Sequence, residues 1–412
     1  VTASETHRTI DAIWRIESAK IIGALTRLVR DVGLAEELAQ EAVVAALEQW
    51  PSSGVPKNPG AWLMTIARRR AIDRIRRDKT LERKEEEFGR ALPVEEPGPE
   101  PDEVGDDVLR LMFTACHPVL STEARVALTL RLLGGLATDE IARAYLVAES
   151  TVAQRIVRAK RTLAKEKVPF EVPSGDELAP RLSSVLEVVY LIFNEGYSAT
   201  AGDDWMRPAL CEDALRLGRI VAALAPKEPE MHGLVALMEI QASRARARIG
   251  PDGEPILLLE QNRALWDRLL IGRGLRALAR AEELGGLRGP YTVQAAIAAC
   301  HARAATAGDT DWIRIAALYE VLARLMPSPV VELNRAVAVS MAFGPGAGLA
   351  LVDKLAGEPS MQQYHLLPSV RGDLLVKLDR PTEARAEFER AAELTRNTRE
   401  RELLLNRAKD CS

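Results

Sequence analysis

AESTVAQRIVRAKRTL, residues 148–163, sets an apolar stripe against a basic one. On a helix turning about 100° per residue, Val152, Ile156, Ala159 and Leu163 fall within about 60° of one another. Gln154, Arg155, Arg158, Arg161 and Lys165 lie around the other side. Such a segment is either a solvated surface helix or a helix docked on its own protein by one face and on nucleic acid by the other. What precedes it decides between the two.

The preceding residues complete LATDEIARAYLVAESTVAQRIVRAKRTL, 136–163. Thr138 can cap a helix whose first turn holds Asp139 and Glu140, both favourable at a helix N-terminus. Ile141, Ala142 and Tyr145 make its inner face. A break follows at 146–149, and Glu149 or Ser150 starts a second helix. This is the pattern of a helix-turn-helix. The small Ala142 permits a close crossing, and Val152 packs under it. The second helix then lies in a DNA major groove. Ser150, Thr151, Gln154 and Arg155, near its start, can reach base edges. Arg158, Lys160, Arg161 and Lys165 are placed for phosphates, which give affinity without sequence information. Leu146 stands where such turns usually carry Gly. Leu disfavours positive φ, so a differently shaped turn is expected.

The whole chain has 412 residues, 47% hydrophobic and 28% charged, enough for several separate cores. No apolar run reaches membrane-spanning length, and no signal-peptide pattern opens the sequence. Cys116, Cys211, Cys300 and Cys411 are scattered without CxxC spacing, which fits a reducing cytoplasm and argues against a structural zinc site. No metal or cofactor is called for. The net charge of −4 conceals a pattern. Residues 68–79 hold seven Arg/Lys against two Asp, 79–107 hold four against eleven acids, and 154–167 hold six against one. Two basic patches separated by an acidic segment suit a nucleic-acid binder.

Ala, Leu, Arg and Glu dominate, and no series of β-branched runs alternates with period two, so the expectation is helix throughout. Residues 9–50 read as two or three helices, Pro51–Pro59 as a loop, and 60–78 as a further helix. The Pro-rich, acidic segment 92–107 reads as an extended linker, and 168–180 as a second one. Toward the C-terminus a spacing of 34 residues aligns Ala304 with Ala338 and Gly372, Ala316 with Ala350 and Ala384, and Ala323 with Gly357 and Ala391. These small residues fall where tetratricopeptide repeats bring their two helices together, with Phe388 at the aromatic position. An irregular helical bundle is the alternative. In VYLIFNEGYSAT, 189–200, Asn194, Glu195 and Gly196 look like a helix C-terminus with Gly in the left-handed position.

DVGLAEELAQEAVVAALEQWP (31–51) and NPGAWLMTIARRRAIDRIRR (58–77), followed by the helix-turn-helix, resemble the bacterial RNA polymerase sigma factors of the sigma-70 family, in their compact extracytoplasmic-function form. The helical tail resembles a subgroup with a long C-terminal extension. The resemblance implies an all-α chain with core polymerase and promoter DNA as partners. It assigns 1–80 to sigma domain 2, 81–107 to an acidic linker, 108–167 to sigma domain 4, 168–180 to a linker, 181–290 to a helical extension and 291–412 to tetratricopeptide-like repeats. It places Glu36, Glu37, Gln40 and Glu41 against the polymerase, with Leu38, Ala42 and Val43 available for burial or contact. It sets the 60–78 helix at the −10 element. There Trp62, Leu63, Ile66 and Ile72 form the core face, with Trp62 also a candidate at the −10 element, and Arg68, Arg69, Arg70, Arg74, Arg76 and Arg77 contact phosphates of the opening strand. Arg69 and Arg70 stand where the family often carries Asn. The loop 52–58 matches the place where such factors capture a flipped base. The linker either mimics a polyanion along the RNA path or is a solvating tether.

The expected function is therefore promoter-specific initiation by a cytoplasmic, non-enzymatic factor. Its C-terminal half would act through a regulatory protein or an intramolecular contact. One rival is a helix-turn-helix regulator fused to a repeat-type sensor, which would bind duplex DNA alone. A second is an enzyme with Glu195, Tyr197 and Asp203 as its site. It lacks any His, Cys or metal cluster and any Gly-rich phosphate loop.

Overall fold

The structure, a computed structural model, describes residues 3–85, 101–199, 202–251 and 253–411. Among these residues there are α-helices, short 3₁₀ turns and two isolated bridges, with no strand. The chain divides into two compact units, Val1–Val189 and Tyr190–Ser412.

The first unit contains α1 (Ala3–Val29), α2 (Val32–Ser53), α3 (Pro59–Glu85), α4 (Pro101–Ala115), α5 (Thr122–Leu132), α6 (Thr138–Tyr145), α7 (Glu149–Lys165) and the first part of α8 (Leu178–Tyr197). Asp31 starts α2 by accepting from the Leu34 N–H at 2.8 Å. Ser121 does the same for α5 through the Ala124 N–H. α1 is the spine of the unit, packing on α2, α3, α4 and α5. Its Ile10, Ile21, Ile22 and Leu25 are buried with Ala35, Leu38, Ala42 and Trp50 of α2 and Leu63, Ala67 and Ala71 of α3. Large apolar side chains buried like these contribute about 1.5–3 kcal/mol each. Gly23 lets α4 approach α1, since a Cβ there would stand 2.9 Å from the Asp107 carbonyl oxygen. The start of α8 belongs to this unit: Arg125 donates to Ser184 and Glu187, and Arg181 to the Phe113 carbonyl.

Several local expectations are revised. Pro51, Ser52 and Ser53 continue α2, and the loop is confined to 54–58, with Gly54 at φ 81°. Ser52 and Ser53 turn their hydroxyls back to the Gln49 carbonyl, which suits a last helical turn. The acidic linker is shorter than 81–107, because α3 runs to Glu85 and α4 begins at Pro101; the stretch 86–100 lies outside the described residues. Asp107 is no linker residue, being 1% exposed and paired with Arg27 and Arg110. The second linker ends at Glu177, where α8 takes over. The core face of α3 is Leu63, Ala67 and Ala71, while Trp62, Ile66 and Ile72 are half-buried at its flanks.

The second unit contains the end of α8, α9 (Pro208–Leu224), α10 (Pro229–Ala242), α11 (Arg268–Glu283), α12 (Pro290–Arg303), α13 (Trp312–Leu325), α14 (Pro329–Phe343), α15 (Pro345–Leu355), α16 (Leu366–Lys377), α17 (Pro381–Leu394) and α18 (Thr398–Asp410). Buried over most of its length, from Met231 to Ile240, α10 is the central helix and packs on α9, α11 and α12. From α12 onward each helix packs on the next. α12 packs on α10 and α11 as well as on α13.

The 34-residue spacing holds in part. Ala338, Ala316, Ala384 and Ala391 are buried, and Gly372 sits beneath the buried Phe388 ring, where a Cβ would come within 2.8 Å. Ala304 instead caps α12, Ala350 is exposed, and Gly357 is exposed beyond α15. The small residue at the middle contact is Gly348, packed against the Ala336 carbonyl. Gly196 is also reassigned. It lies inside α8 without a positive φ, and its missing side chain admits Cys211, whose backbone nitrogen would be 2.6 Å from a Cβ.

Candidate nucleic-acid and polymerase interface

The helix-turn-helix forms as the opening stripe requires. Val152, Ile156, Ala159 and Leu163 are each at most 5% exposed, and Ala142 and Ile141 of α6 are buried beside them. α7 packs on α5 and α6. Ser150, Gln154, Arg158, Arg161 and Lys165 are exposed on the opposite side, while Thr151 and Arg155 are half-buried.

Two details differ from expectation. The N-cap of α6 is Ala137 rather than Thr138. It has no capping side chain, and the Glu140 carboxylate instead accepts from the Ala137 N–H at 2.8 Å. Leu146 does adopt the left-handed conformation, φ 50° and ψ 44°, so the turn keeps the geometry usually given to Gly. A left-handed non-glycine residue costs about 1–2 kcal/mol. Two carbonyls, of Ala142 and Arg143, accept from its N–H and hold it there.

On α3, Arg69, Arg74, Arg76 and Arg77 are exposed and Arg68 is half-buried. Arg70 donates to Glu41 of α2 at 2.6 Å. Trp62 meets Trp50 edge-on, with ring centroids 5.3 Å apart, so its ring braces α3 on α2. Asn58 accepts from the Ala61 N–H and starts α3.

The acidic face of α2 is not uniformly open. Glu37 and Glu41 are exposed and Gln40 is half-buried, but Glu36 is only 4% exposed. Its carboxylate receives Arg131 Nε of α5 at 2.6 Å and pairs with Lys160 of α7. Gln40 donates to it from one turn on, at 2.8 Å. Two more ion pairs hold α1: Arg15 with Glu140 of α6 at 2.5 Å, and Arg27 with Asp107 of α4 at 3.2 Å. The sequence reading missed Arg131, Asp107 and Arg15 as partners. Only a buried polar position on an amphipathic helix hints at them, and that is invisible until the neighbouring helix is placed.

The residues of the rival enzyme site have structural partners. Glu195 pairs with Arg207, Tyr197 lies under Arg248, and Asp203 accepts from the Thr398 hydroxyl at 3.0 Å. Burial pushes the Cys116 thiol up to about 11 and Cys211 to about 12, far from a reactive thiolate.

Comparison with known proteins agrees with this arrangement. Residues 15–80 match Sigma-70 region 2, and residues 110–163 match Sigma-70, region 4. The ECF RNA polymerase sigma factor SigK of Mycolicibacterium vanbaalenii is 31% identical over 155 residues, covering 36% of this chain and 76% of that protein. The Mycobacterium tuberculosis ECF RNA polymerase sigma factor SigK (strain H37Ra) is 31% identical over 153 residues, 35% of this chain and 78% of its own length. The chain belongs to the extracytoplasmic-function sigma factors of the sigma-70 family.

As a sigma factor it directs transcription initiation and carries a helical C-terminal domain beyond the two sigma regions. Factors of this family bind DNA and are not enzymes, which sets the enzyme reading aside. The match to region 2 disfavours a regulator that binds duplex DNA alone. Residues 181–282 match a family of unknown function, DUF6596. An uncharacterized protein, R00370 of Rhizobium meliloti, is 44% identical over 92% of this chain and 90% of its own, so the long extension is shared. The yeast Tom70 crystal structure aligns with 94% of this chain and 82% of its own at 10% identity and a TM-score of 0.38, too loose a likeness to bear on function. No helix among the described residues is long and apolar enough to cross a membrane.

Proposed function

We propose that this sigma factor docks on core RNA polymerase through the α2 surface of Glu36, Glu37, Gln40 and Glu41, reads the −35 element with α7 and engages the −10 element with α3. The observation that carries the reading is the division of α7 into a buried apolar stripe and an exposed polar one. Ser150, Thr151, Gln154 and Arg155, at its start, face base edges; Arg158, Arg161 and Lys165 hold phosphates. On α3, Arg68, Arg69, Arg74, Arg76 and Arg77 grip the opening strand, joined by Arg70 once Glu41 is engaged elsewhere. Trp62 supports this helix from behind. The cytoplasm is the compartment this work requires.

Docking through Glu36 needs its pairs with Arg131 and Lys160 to open, so the free factor is held in a closed form by its own residues. The C-terminal unit sets activity through protein contacts, with the sigma domains or with the polymerase. The test is in vitro transcription by core polymerase with the full chain on a promoter library. Promoter-specific transcripts are expected; failure to form a complex with core polymerase overturns the reading. A chain ended after Val189, which keeps Arg181, Ser184 and Glu187, tests the regulatory part. Unchanged transcription and polymerase affinity would refute it.

A further inference from the structure

Three arginines of the C-terminal unit gather without an acid. Arg244 follows α10, Arg248 lies one turn later, and Arg263 comes from the loop before α11. Among the described residues no carboxylate lies within ion-pair distance of any of them. Asp309 pulls on Arg263 from farther away, and its own carboxylate is engaged with Thr306. Arg248 is 7% exposed and Arg263 8%, which is costly for cations unless each has a task.

Two of them have one. Arg248 lies over the Tyr197 ring, 3.5 Å from its centroid, and donates to the Tyr197 carbonyl at 2.8 Å. Arg263 donates at 2.7 Å to the His301 and Ala304 carbonyls left open at the end of α12, and to the Thr310 hydroxyl at 3.1 Å. Arg244 has no comparable work. Half-buried, it bonds only neutral groups, the Tyr197 phenol at 2.5 Å and the Gln241 amide oxygen one turn back. Its Nε finds no partner, and neither does the indole N–H of Trp266, a residue only 3% exposed whose ring lies 5.8 Å from Arg244. A guanidinium with an open Nε–H, repelled by two cations and walled by aromatic faces, is short of one thing, an oxyanion.

We propose that Arg244, backed by Arg248 and Arg263, is a receptor for the carboxylate or phosphate of a small organic ligand, with the Trp266 and Tyr197 rings beside it. The site lies wholly within the C-terminal unit and stands whatever that unit does to transcription. The bound oxyanion takes the open Nε hydrogen of Arg244 and relieves the repulsion among the three guanidiniums.

The test is calorimetric titration of the full chain with inorganic phosphate and, separately, with benzoate, against sodium chloride of equal ionic strength. One-to-one binding of either probe is expected. Saturation by phosphate alone assigns a phosphorylated ligand, by benzoate alone an aromatic carboxylate, and by both an oxyanion in general. Arg244→Gln should weaken binding by about tenfold or more, the loss of a charge-assisted hydrogen bond. Arg246→Gln, an exposed neighbour, should leave binding unchanged. Should Arg244→Gln fail to fold by circular dichroism, Arg244→Lys keeps the charge, loses the Nε donor and should still bind several-fold more weakly. No binding of either probe, or binding that survives the Arg244 variants intact, overturns the proposal.

Discussion

Glu36 and Arg131 stand 95 residues apart in the chain, and their side chains meet at 2.6 Å. Lys160 closes on the same carboxylate. One acid of α2 is thus clasped by α7 of the helix-turn-helix and by α5, the helix that precedes it. Removing one member of a buried pair costs about 3–5 kcal/mol. Arg131 and Lys160 each keep about a fifth of their side chains in water, so Glu36→Gln should cost nearer 2–3 kcal/mol. Urea denaturation of the full chain reads the first transition. Glu36→Gln combined with Lys160→Met should lose less than the two single changes together, by about 1 kcal/mol. Strict additivity would mean that the clasp carries no energy.

The left-handed Leu146 gives a gain rather than a loss. Leu146→Gly removes a penalty of about 1–2 kcal/mol and adds back part of it as unfolded-chain entropy. A net stabilisation of about 0.5–1 kcal/mol is expected, with DNA affinity unchanged. A destabilised variant would show that the side chain, 55% exposed, makes a contact worth more than its strain.

Burial, together with the nearby Arg244 and Arg263, lowers the His301 imidazole to about 4 from an ordinary 6.5. Above about pH 6.5 the ring is neutral in both folded and unfolded chains, and its contribution is complete. As pH falls from 6.5 toward 4 the unfolded chain takes up a proton that the folded one refuses, so stability drops by up to about 3 kcal/mol. Below about 4 this residue adds no further loss. Denaturation of the wild type and of His301→Gln at pH 7.5 and pH 5 separates this slope from that of the carboxylates. Equal slopes would refute it.

On α7, Arg158 and Gln154 should fail differently. Arg158→Ala should weaken binding to every promoter alike and lower the salt slope by about one. Gln154→Ala should cost about 1–3 kcal/mol on the preferred −35 sequence and little on others. Fluorescence anisotropy of the holoenzyme across a salt series measures both.

Much of this was legible in the chain because it depends on local periodicity. The stripe of Val152, Ile156, Ala159 and Leu163 is a helical face wherever it is placed, and basic segments stay basic. What escaped depends on a second element. Periodicity puts Glu36 on a polar side but cannot say that Arg131 covers it. Composition makes Asp107 part of an acidic tether, yet α1 brings Arg27 to it. Gly196 has the spelling of a helix end and the task of a close approach to Cys211. The middle repeat moved its small contact from Ala350 to Gly348, because helix packing asks only for a small residue at the crossing. Arg244 and Arg248 sit one turn apart in SRARARIG, 243–250, a spacing that by itself names no partner. Arg263 and the rings of Tyr197 and Trp266 give those arginines their meaning, and they come from elsewhere in the fold.

The bond from Arg70 to Glu41 has a consequence of its own. In the proposed docking it ties the cation that faces nucleic acid to the anion that faces protein, on two neighbouring helices. A partner that takes Glu41 releases Arg70, and thermodynamic reciprocity makes whatever takes Arg70 release Glu41 to the same degree. With both side chains well exposed the coupling is small, about 0.5 kcal/mol or roughly a factor of two. Its sign is fixed all the same: enzyme and template each make the other slightly more welcome.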